Sequence, residues 1–434
     1  MDIYKSISIL KEVNFMHAIE KLLAKRAGVN EVKTGQIINC EIDLAGINDL
    51  YLQTIRSFSE MGATKVSHPD RIAMFLDHYA PASTITQADN QRQFREFCEK
   101  QNIEKLMDID QGVCHQVVAD KGWSRPGRVI VITDSHTTTH GAFGAFGTGV
   151  GATDLAIILA TGKLWFRVPE IIRINFEGKL PEGVYAKDII LHAIGKLKAD
   201  FAVYKAVEFG GSTIKSLSVS ERMALCNMTT EMGAKTSYIQ PDEVTKQFLA
   251  EKGLVENKDY EIYITDEDFA YADEITFDVS QLKPQVAAPF SVDNVFDLKE
   301  YEGQTINQAY LGSCTGGRVE DLKIAAQIVK GKHIPRLVRF VIVPASKGVF
   351  LEAMSKGYVQ TLVEAGATFV TPGCAACLGT HEGMISSGEY CITTTNRNFP
   401  GRMGATDGHI FLASPATVAA SAINGKITDP TLYL

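Results

Sequence analysis

The sequence predicts an α/β protein with mostly parallel sheets. Short β-branched runs alternate with helical patterns along its 434 residues. The run RVIVITD at 128–134 leads into a glycine-rich stretch, and RFVIVPAS at 339–346 precedes the helical segment FLEAMSKGYVQTLVEAG at 350–366. This alternation is typical of βα units. Ligands of such folds bind beyond the carboxyl ends of strands. The loops to search therefore follow Val131, Val343 and Val370.

The chain length favours two to four domains, at about 100 to 200 residues each. A polar middle segment extends from about Arg167 to Leu282, and KPQVAAPFSVDNV at 283–295 has the prolines of a connection. We therefore expect three domains, at 1–166, 167–282 and 283–434. The first helical pattern starts at Met16, so residues 1–15 are treated as a possible extension.

The composition is that of a folded globular protein, with 45% hydrophobic and 22% charged residues. A net charge of -8 and the lack of a dense Lys/Arg run argue against a nucleic-acid partner. The sequence shows neither a secretory signal pattern nor an apolar stretch of about 18 residues, so we expect no membrane span. These observations together predict a cytoplasmic protein.

Two of the eight cysteines, Cys374 and Cys377, lie three residues apart in GCAACLG. Zinc sites, redox dithiols and iron-sulfur clusters all use this spacing, and the pair alone does not choose among them. The wide scatter of the other thiols favours reduced cysteines over a disulfide framework. A zinc finger is disfavoured because no second pair follows at suitable spacing.

A third thiol, Cys314, lies in the segment YLGSCTGGRVEDL, in a glycine-flanked turn between an apolar strand and a helix. The small neighbours would let backbone amides approach cluster sulfurs, whose properties depend on such hydrogen bonds. Taken alone, a turn cysteine is as easily structural as functional.

Acidic residues and histidines are adjacent at several loop positions. Asp134, Ser135 and His136 follow a strand, and an Asp beside a His there commonly orients the imidazole for proton transfer. The glycines that follow do not form GxGxxG, so a dinucleotide site is weakly supported. Asp77 and His78 stand in FLDHYAP and His115 in GVCHQ. Each of these alone is more often a structural residue.

The segment TTTNRNFPGRMG at 393–404 contains Asn396, Arg397 and Arg402. Guanidinium groups suit carboxylate ligands because they bind them through two parallel hydrogen bonds. The competing interpretation is a surface loop with solvated arginines.

Five motifs, GSCT, GCAACLG, DSHTTTHGAFG, NRNFPGR and ASPATVAASAI, identify a resemblance to the aconitase superfamily. From about Met16 onward, the chain resembles 3-isopropylmalate dehydratase large subunits of the archaeal-like type. Homoaconitase and 2,3-dimethylmalate dehydratase large subunits are close alternatives. The resemblance implies three α/β domains around a 4Fe-4S cluster, and a hydro-lyase acting on a small hydroxy-carboxylate.

Residue roles follow from the same resemblance. It implies three cluster ligands, Cys314, Cys374 and Cys377, which leave one iron open to substrate. It implies six acid-base residues: Asp77, His78, His115, Asp134, His136 and Glu231. It implies five residues near the cluster or the substrate carboxylates: Ser135, Asn227, Asn396, Arg397 and Arg402.

One position departs from the family pattern, since Gly316 follows Cys-Thr where the family usually has Asn. The missing amide would remove a hydrogen bond near the cluster and puts the substrate in doubt more than the cluster. Longer members carry a swivel domain with a serine base and arginines. The chain ends at Leu434 soon after ASPATVAASAI, so the resemblance implies that the swivel domain is absent and comes from a small partner subunit.

Two other functions compete with the hydro-lyase. An RNA-binding iron sensor is disfavoured by the acidic charge and short length. An electron-transfer protein would leave the acid-base residues idle and would be expected to use four cysteine ligands.

Overall fold

The computed structural model describes residues 15–379 and 381–434. The possible N-terminal extension falls almost wholly outside the described residues. No helix among the described residues is both long and apolar enough to cross a membrane.

Strands and helices alternate through the described residues. The strands are β1 (Ile37–Glu41), β2 (Leu44–Asn48), β3 (Ile72–Phe75), β4 (Lys105–Met107), β5 (Val129–Ile132), β6 (Phe146–Gly149), β7 (Lys163–Arg167), β8 (Ile171–Glu177), β9 (Ala206–Gly210), β10 (Thr236–Tyr238), β11 (Asp273–Asp278), β12 (Gln285–Ala287), β13 (Val295–Asp297), β14 (Gln308–Leu311), β15 (Arg339–Ile342), β16 (Thr368–Phe369), β17 (Tyr390–Thr393) and β18 (His409–Leu412). The α-helices are α1 (Ala18–Ala27), α2 (Gln53–Glu60), α3 (Ile85–Gln101), α4 (Cys114–Asp120), α5 (Ala152–Thr161), α6 (Ala186–Leu197), α7 (Ser212–Ser216), α8 (Val219–Met228), α9 (Glu243–Glu251), α10 (Ser313–Gly316), α11 (Val319–Val329), α12 (Lys347–Ser355), α13 (Tyr358–Glu364) and α14 (Pro415–Asn424).

The first sheet has the order β4-β3-β2-β5-β6, and all of its pairs are parallel. Its inner strands read LAGIN, IAMF and VIVI and are buried along their whole length. Continuous apolar runs of this kind are expected where helices cover both faces of a parallel sheet. Strands β1 and β7 form a separate antiparallel pair.

Two further sheets follow along the chain. The second has the order β10-β9-β8-β11 and is wholly parallel. The third has the order β13-β12-β18-β17-β14-β15-β16, in which only the pairs made by β12 are antiparallel. The predicted α/β class with mostly parallel sheets is therefore confirmed.

Two local predictions need correction. The helical segment predicted at 350–366 is broken into α12 and α13, because Gly357 adopts a left-handed φ of 75° between them. The segment 283–295 is more than a connection, since it contains β12 and reaches β13 at the edge of the third sheet. Its short apolar run pairs with neighbours that the sequence alone does not reveal.

The carboxyl ends of parallel strands carry the polar loops. Within the first sheet, Asp77 follows β3 and Asp134 follows β5. Within the third sheet, Cys314 follows β14, Cys374 follows β16 and Asn396 follows β17. Because parallel strands end at one edge, each sheet gathers its loops on one side.

A tight contact joins the first and second sheets. The buried 3₁₀ segment Ser135–Phe143 follows β5 and packs on Ser237 of β10. A Cβ atom at Gly141 would overlap the carbonyl oxygen and the hydroxyl of Ser237. Glycine is therefore required here by close backbone approach.

Replacing Gly141 with Ala should lower the thermal unfolding midpoint, because overpacking of a buried contact costs about 1 to 3 kcal/mol. The matched control is Gly151→Ala, at a position with φ near -77° and no atom within 4 Å of the added Cβ. The two variants should be compared by calorimetry. Equal midpoints would contradict the packing argument.

Candidate active site

Three thiols line one cavity of about 110 Å³ between the loops of the first and third sheets. Cys314 lies in α10, while Cys374 and Cys377 lie in the turn that follows β16. All three side chains are buried. The chain brings residues 60 positions apart to one cavity because both loops leave the same edge of the third sheet.

The Cys314 sulfur is surrounded by amide groups. Asn227 Nδ2 lies 3.0 Å and Asn396 Nδ2 3.5 Å from Cys314 Sγ. Asn396 also donates to the side-chain oxygen of Asn227, so the two amides form a connected pair. Amide donors stabilise a thiolate over a thiol.

The turn that carries the other two thiols is held by a backbone hydrogen bond and by a nearby guanidinium group. Cys374 N donates to the Asp77 carbonyl at 2.9 Å, which ties the cysteine turn to the loop after β3. The hydrogen bond from the Cys374 thiol, with the Arg402 guanidinium 3.9 Å away, holds the pKa of Cys377 well below its usual value despite burial. These groups favour the thiolate form of Cys377, which is the form that binds a metal.

The remaining cysteines do not line the thiol cavity. All eight cysteines are free thiols, as the scattered sequence positions predict. Burial raises the pKa to about 12 at four of them: Cys40, Cys98, Cys226 and Cys391. They behave as small apolar core residues.

Comparison with known proteins identifies the family. The family model for the aconitase family (aconitate hydratase) matches residues 20–425. A "3-isopropylmalate dehydratase large subunit 1" from Methanopyrus kandleri is 48% identical, over 96% of this chain and 99% of its own length. A "probable methanogen homoaconitase large subunit" from Methanothermobacter thermautotrophicus is also 48% identical, over 96% and 97% of the two chains. A "3-isopropylmalate dehydratase large subunit" from Hydrogenobaculum sp. is 43% identical over 95% and 96%. The chain belongs to the aconitase family.

Membership of the aconitase family implies an iron-sulfur cluster. The cavity fits such a group in its donor chemistry, because it offers three buried thiols and no disulfide. Thiolates are the ligands that iron-sulfur clusters use. The amides at Cys314 and the guanidinium at Cys377 are hydrogen-bond donors of the kind that tune such clusters.

Asp134 is the centre of the acid-base groups beside the thiols. Its Oδ1 accepts from His115 Nε2 at 3.1 Å and from the His136 backbone N at 2.8 Å, and its Oδ2 lies 3.5 Å from His78 Nε2. Burial opposes charge on this carboxyl, but the three imidazoles hold its pKa well below the usual value. Asp134 therefore orients three histidines, rather than the adjacent His136 alone.

A second ion network lies on the other side of His136. His136 Nε2 and Arg397 Nε both lie 2.8 Å from Glu231 Oε1. Arg397 Nη2 also donates to Ser135 Oγ at 3.0 Å. Burial favours the neutral acid, yet His136 and Arg397 lower the pKa of Glu231, which is thus ionised at neutral pH.

The Asp77 and His78 pair forms the third part of the acid-base network. Asp77 Oδ1 lies 2.8 Å from His78 Nδ1, and the backbone N of Cys114 donates to Asp77 Oδ2 at 2.7 Å. Although burial disfavours the imidazolium, Asp77 and Asp134 raise the pKa of His78 well above its usual value. His78 can thus hold a proton at neutral pH.

The two arginines have different surroundings. Arg402 is 8% exposed, and its Nε is a buried donor without a hydrogen-bond partner among the described residues. Arg397 is less buried and is already bonded to Glu231 and Ser135. A free buried donor next to the thiols indicates that Arg402 is the better anion site.

Sequence reasoning missed two residues that hold the site together. Ser313 adopts a φ of 74°, and its hydroxyl lies 2.9 Å from Asn396 Oδ1 and 3.5 Å from Cys377 Sγ. Asp49, which follows β2, accepts the backbone N–H groups of His78 and Tyr79. The serine of GSCT was available as a signal, whereas Asp49 belongs to no recognisable motif.

The loop after Val343 contributes no residue to the lining of the thiol cavity, although it follows a parallel strand. Instead, the Ala345 carbonyl accepts from Val113 N at 2.9 Å, and Ser346 Oγ donates to Asp120. These bonds brace both ends of α4, the helix that carries His115.

Gly316 is explained by its neighbour. A Cβ atom at Gly316 would overlap the side chain of Thr394. Thr394 Oγ1 fills this space and exchanges hydrogen bonds with the backbone of Gly312. The glycine and the threonine are therefore complementary, and an Asn at 316 would require Thr394 to move.

Proposed function

We propose that the chain is the large subunit of a hydro-lyase that dehydrates and rehydrates a 2-hydroxy di- or tricarboxylate. One observation carries the proposal. A single cavity is lined by three thiols, an acid-base network and a free buried guanidinium donor. Each is a group that loss of water beside a carboxylate requires.

The proposed ligands of the cluster are Cys314, Cys374 and Cys377, and the proposed type is 4Fe-4S with one iron lacking a protein ligand. Three cysteine side chains in one cavity support this count, because a fully liganded cluster uses four. When bound, the cluster supplies a Lewis acid for the substrate hydroxyl and one carboxylate.

The protein's own groups would move protons and orient the substrate. His78 is the proposed donor of a proton from Nε2 to the departing hydroxyl, since Asp77 holds its Nδ1. Asp134 would keep His78, His115 and His136 in fixed orientations. Glu231 would hold the His136 ring in place through its 2.8 Å contact with Nε2.

Arg402 is the proposed anchor for a substrate carboxylate. Its guanidinium lines the cavity and has an unpaired Nε, which can donate to a carboxylate of the substrate. Arg397, Ser135, Asn227 and Asn396 would keep the cavity in shape around it.

The substrate is proposed to be 3-isopropylmalate or its isomer, with homoaconitate as a second candidate. Both substrates are proposed because a relative named 3-isopropylmalate dehydratase and one named homoaconitase are each 48% identical to this chain. We also propose a small partner subunit, because these relatives are named large subunits and are covered over nearly their whole length.

The test of function is reconstitution. The chain loaded with iron and sulfide without oxygen, and mixed with a small subunit from a relative, should convert 3-isopropylmalate or homoaconitate, followed by the ultraviolet absorption of the unsaturated acid. The chain alone should be slower by about 10²- to 10⁴-fold, the usual contribution of a missing general base. Full turnover without a partner would refute the two-subunit proposal, and no turnover of either acid would refute the substrate class.

The cluster ligands can be tested separately from activity. Replacing Cys314, Cys374 or Cys377 with Ser should abolish the broad visible iron-thiolate absorption and lower the iron content per chain. The control is Cys98→Ser, at a buried thiol that does not line the cavity. Loss of the absorption in the control, with retention in Cys377→Ser, would show the assignment to be wrong.

The Arg402→Lys variant should still bind the cluster but should bind substrate weakly. An ammonium group cannot make the two parallel hydrogen bonds that a guanidinium makes with a carboxylate. Loss of one charged partner in a buried site costs about 2 to 5 kcal/mol, or roughly 30- to several-thousand-fold in kcat/KM. The matched control is Arg336→Lys at an exposed position. A kcat/KM for Arg402→Lys within about threefold of wild type, at equal cluster content, would remove Arg402 from the site.

A further inference from the structure

Lys187 is buried in an unfavourable electrostatic position. It is 3% exposed and is the second residue of α6. The positive end of the helix dipole lies at this terminus, where a cation is disfavoured. Burial lowers the pKa of Lys187 to about 8, although nearby thiols and carboxylates act to raise it. A buried ammonium that remains charged needs an anion nearby.

The hydrogen-bond partners of Lys187 do not provide this anion. Within residues 15–379 and 381–434, its Nζ lies 2.7 Å from the Thr395 carbonyl, 3.1 Å from the Thr394 carbonyl and 3.5 Å from Met228 Sδ. All three are neutral groups. Lys187 therefore has no carboxylate in its own hydrogen-bond shell.

The nearby carboxylates already have hydrogen-bond or ion-pair partners. Asp188, the residue after Lys187, accepts from the backbone N of Tyr185 and of Gln285, and burial raises its pKa to about 7. Glu231 is paired with His136 and Arg397. Burial raises the pKa of Asp321 to about 7, and this carboxyl caps the backbone N of Arg318. The sulfurs of Cys314 and Cys377 act on Lys187 more strongly than Glu231 or Asp321 does. The thiol site, once its cysteines are deprotonated, is therefore the strongest source of negative charge to balance Lys187.

The contacts of Lys187 also connect it to the Cys314 sulfur, through two neighbouring asparagines. Thr395 immediately precedes Asn396, and Met228 immediately follows Asn227. These two asparagines are the residues whose amides point at Cys314 Sγ. A group that fixes both neighbours also fixes both amides.

Lys187 acts from outside the substrate cavity. It lines a separate cleft of about 370 Å³, together with Thr315 and Arg318. Thr315 Oγ1 donates to the same Thr394 carbonyl that Lys187 binds, at 2.7 Å. Lys187 is not among the residues that line the thiol cavity, so contact with substrate does not explain it.

We propose that Lys187 is the internal counter-charge of the iron-sulfur site and positions the Asn227 and Asn396 amides on Cys314. The inference rests on the cluster ligands proposed above. A cluster with thiolate ligands is anionic. A fixed cation beside it therefore stabilises the bound cluster and raises its reduction potential.

The test compares Lys187→Met with wild type in the full chain, loaded with iron and sulfide in the absence of oxygen. Retention of iron against a chelator should weaken by about 10- to 100-fold, as is usual when a partner behind the metal ligands is lost. The reduction potential, measured by spectroelectrochemical titration, should fall. By linkage, the variant should lose more stability in the loaded than in the cluster-free protein.

Two further variants separate charge from packing. Lys187→Gln keeps a hydrogen-bond donor without charge, so its potential should stay low; a wild-type potential there would overturn the counter-charge. Lys235→Met removes a half-buried lysine elsewhere and should leave retention and potential unchanged. Equal effects of Lys187→Met and Lys235→Met, or equal stability losses with and without cluster, would also overturn the proposal.

The result also distinguishes this inference from the proposed function. A wild-type chain that binds no cluster would overturn both. A loaded wild-type chain with an unaffected Lys187→Met variant would overturn only the role of Lys187.

Discussion

The site depends on one constraint. Charged side chains that are buried between the loops of the first and third sheets must be paired. Parallel strands end at one edge, so the first and third sheets each present several polar loops to the same cavity. Charged groups removed from water must be hydrogen-bonded or paired. Asp134 satisfies this condition because its carboxylate oxygens lie 3.1 to 3.5 Å from ring nitrogens of three histidines. The positions of these rings therefore follow from the requirement that one buried carboxylate be paired.

Charge balance extends beyond the cavity wall. Arg397 pairs with Glu231, Arg402 lies near Cys377, and Lys187 interacts electrostatically with Cys314. Each cation comes from a segment distant in sequence from the anion it faces. The site is thus stable only when all three sheets are assembled, which explains why its ionisable groups can remain buried and charged.

Small side chains set the shape of the thiol loops. The positive φ of Ser313 turns the chain so that Cys314 and Cys377 share one hydroxyl, and the missing Cβ of Gly316 admits Thr394. The departure from the family pattern at Gly316 is therefore accompanied by a side chain that occupies its space. Relatives named for different substrates are equally similar to this chain, at 48% identity, so overall similarity does not separate the two substrates.

The sequence by itself determined the α/β class, the strand ends that carry the loops, and the motifs that indicate the family. These features are local, because they depend on periodicity and on residues adjacent in the chain. It did not determine that Asp134 binds His115 and His78, that Gly357 divides a helix, or that Lys187 binds the carbonyl groups of Thr394 and Thr395. Those facts depend on pairing and burial between distant segments, and only the tertiary structure decides which charges meet and which are left to be balanced.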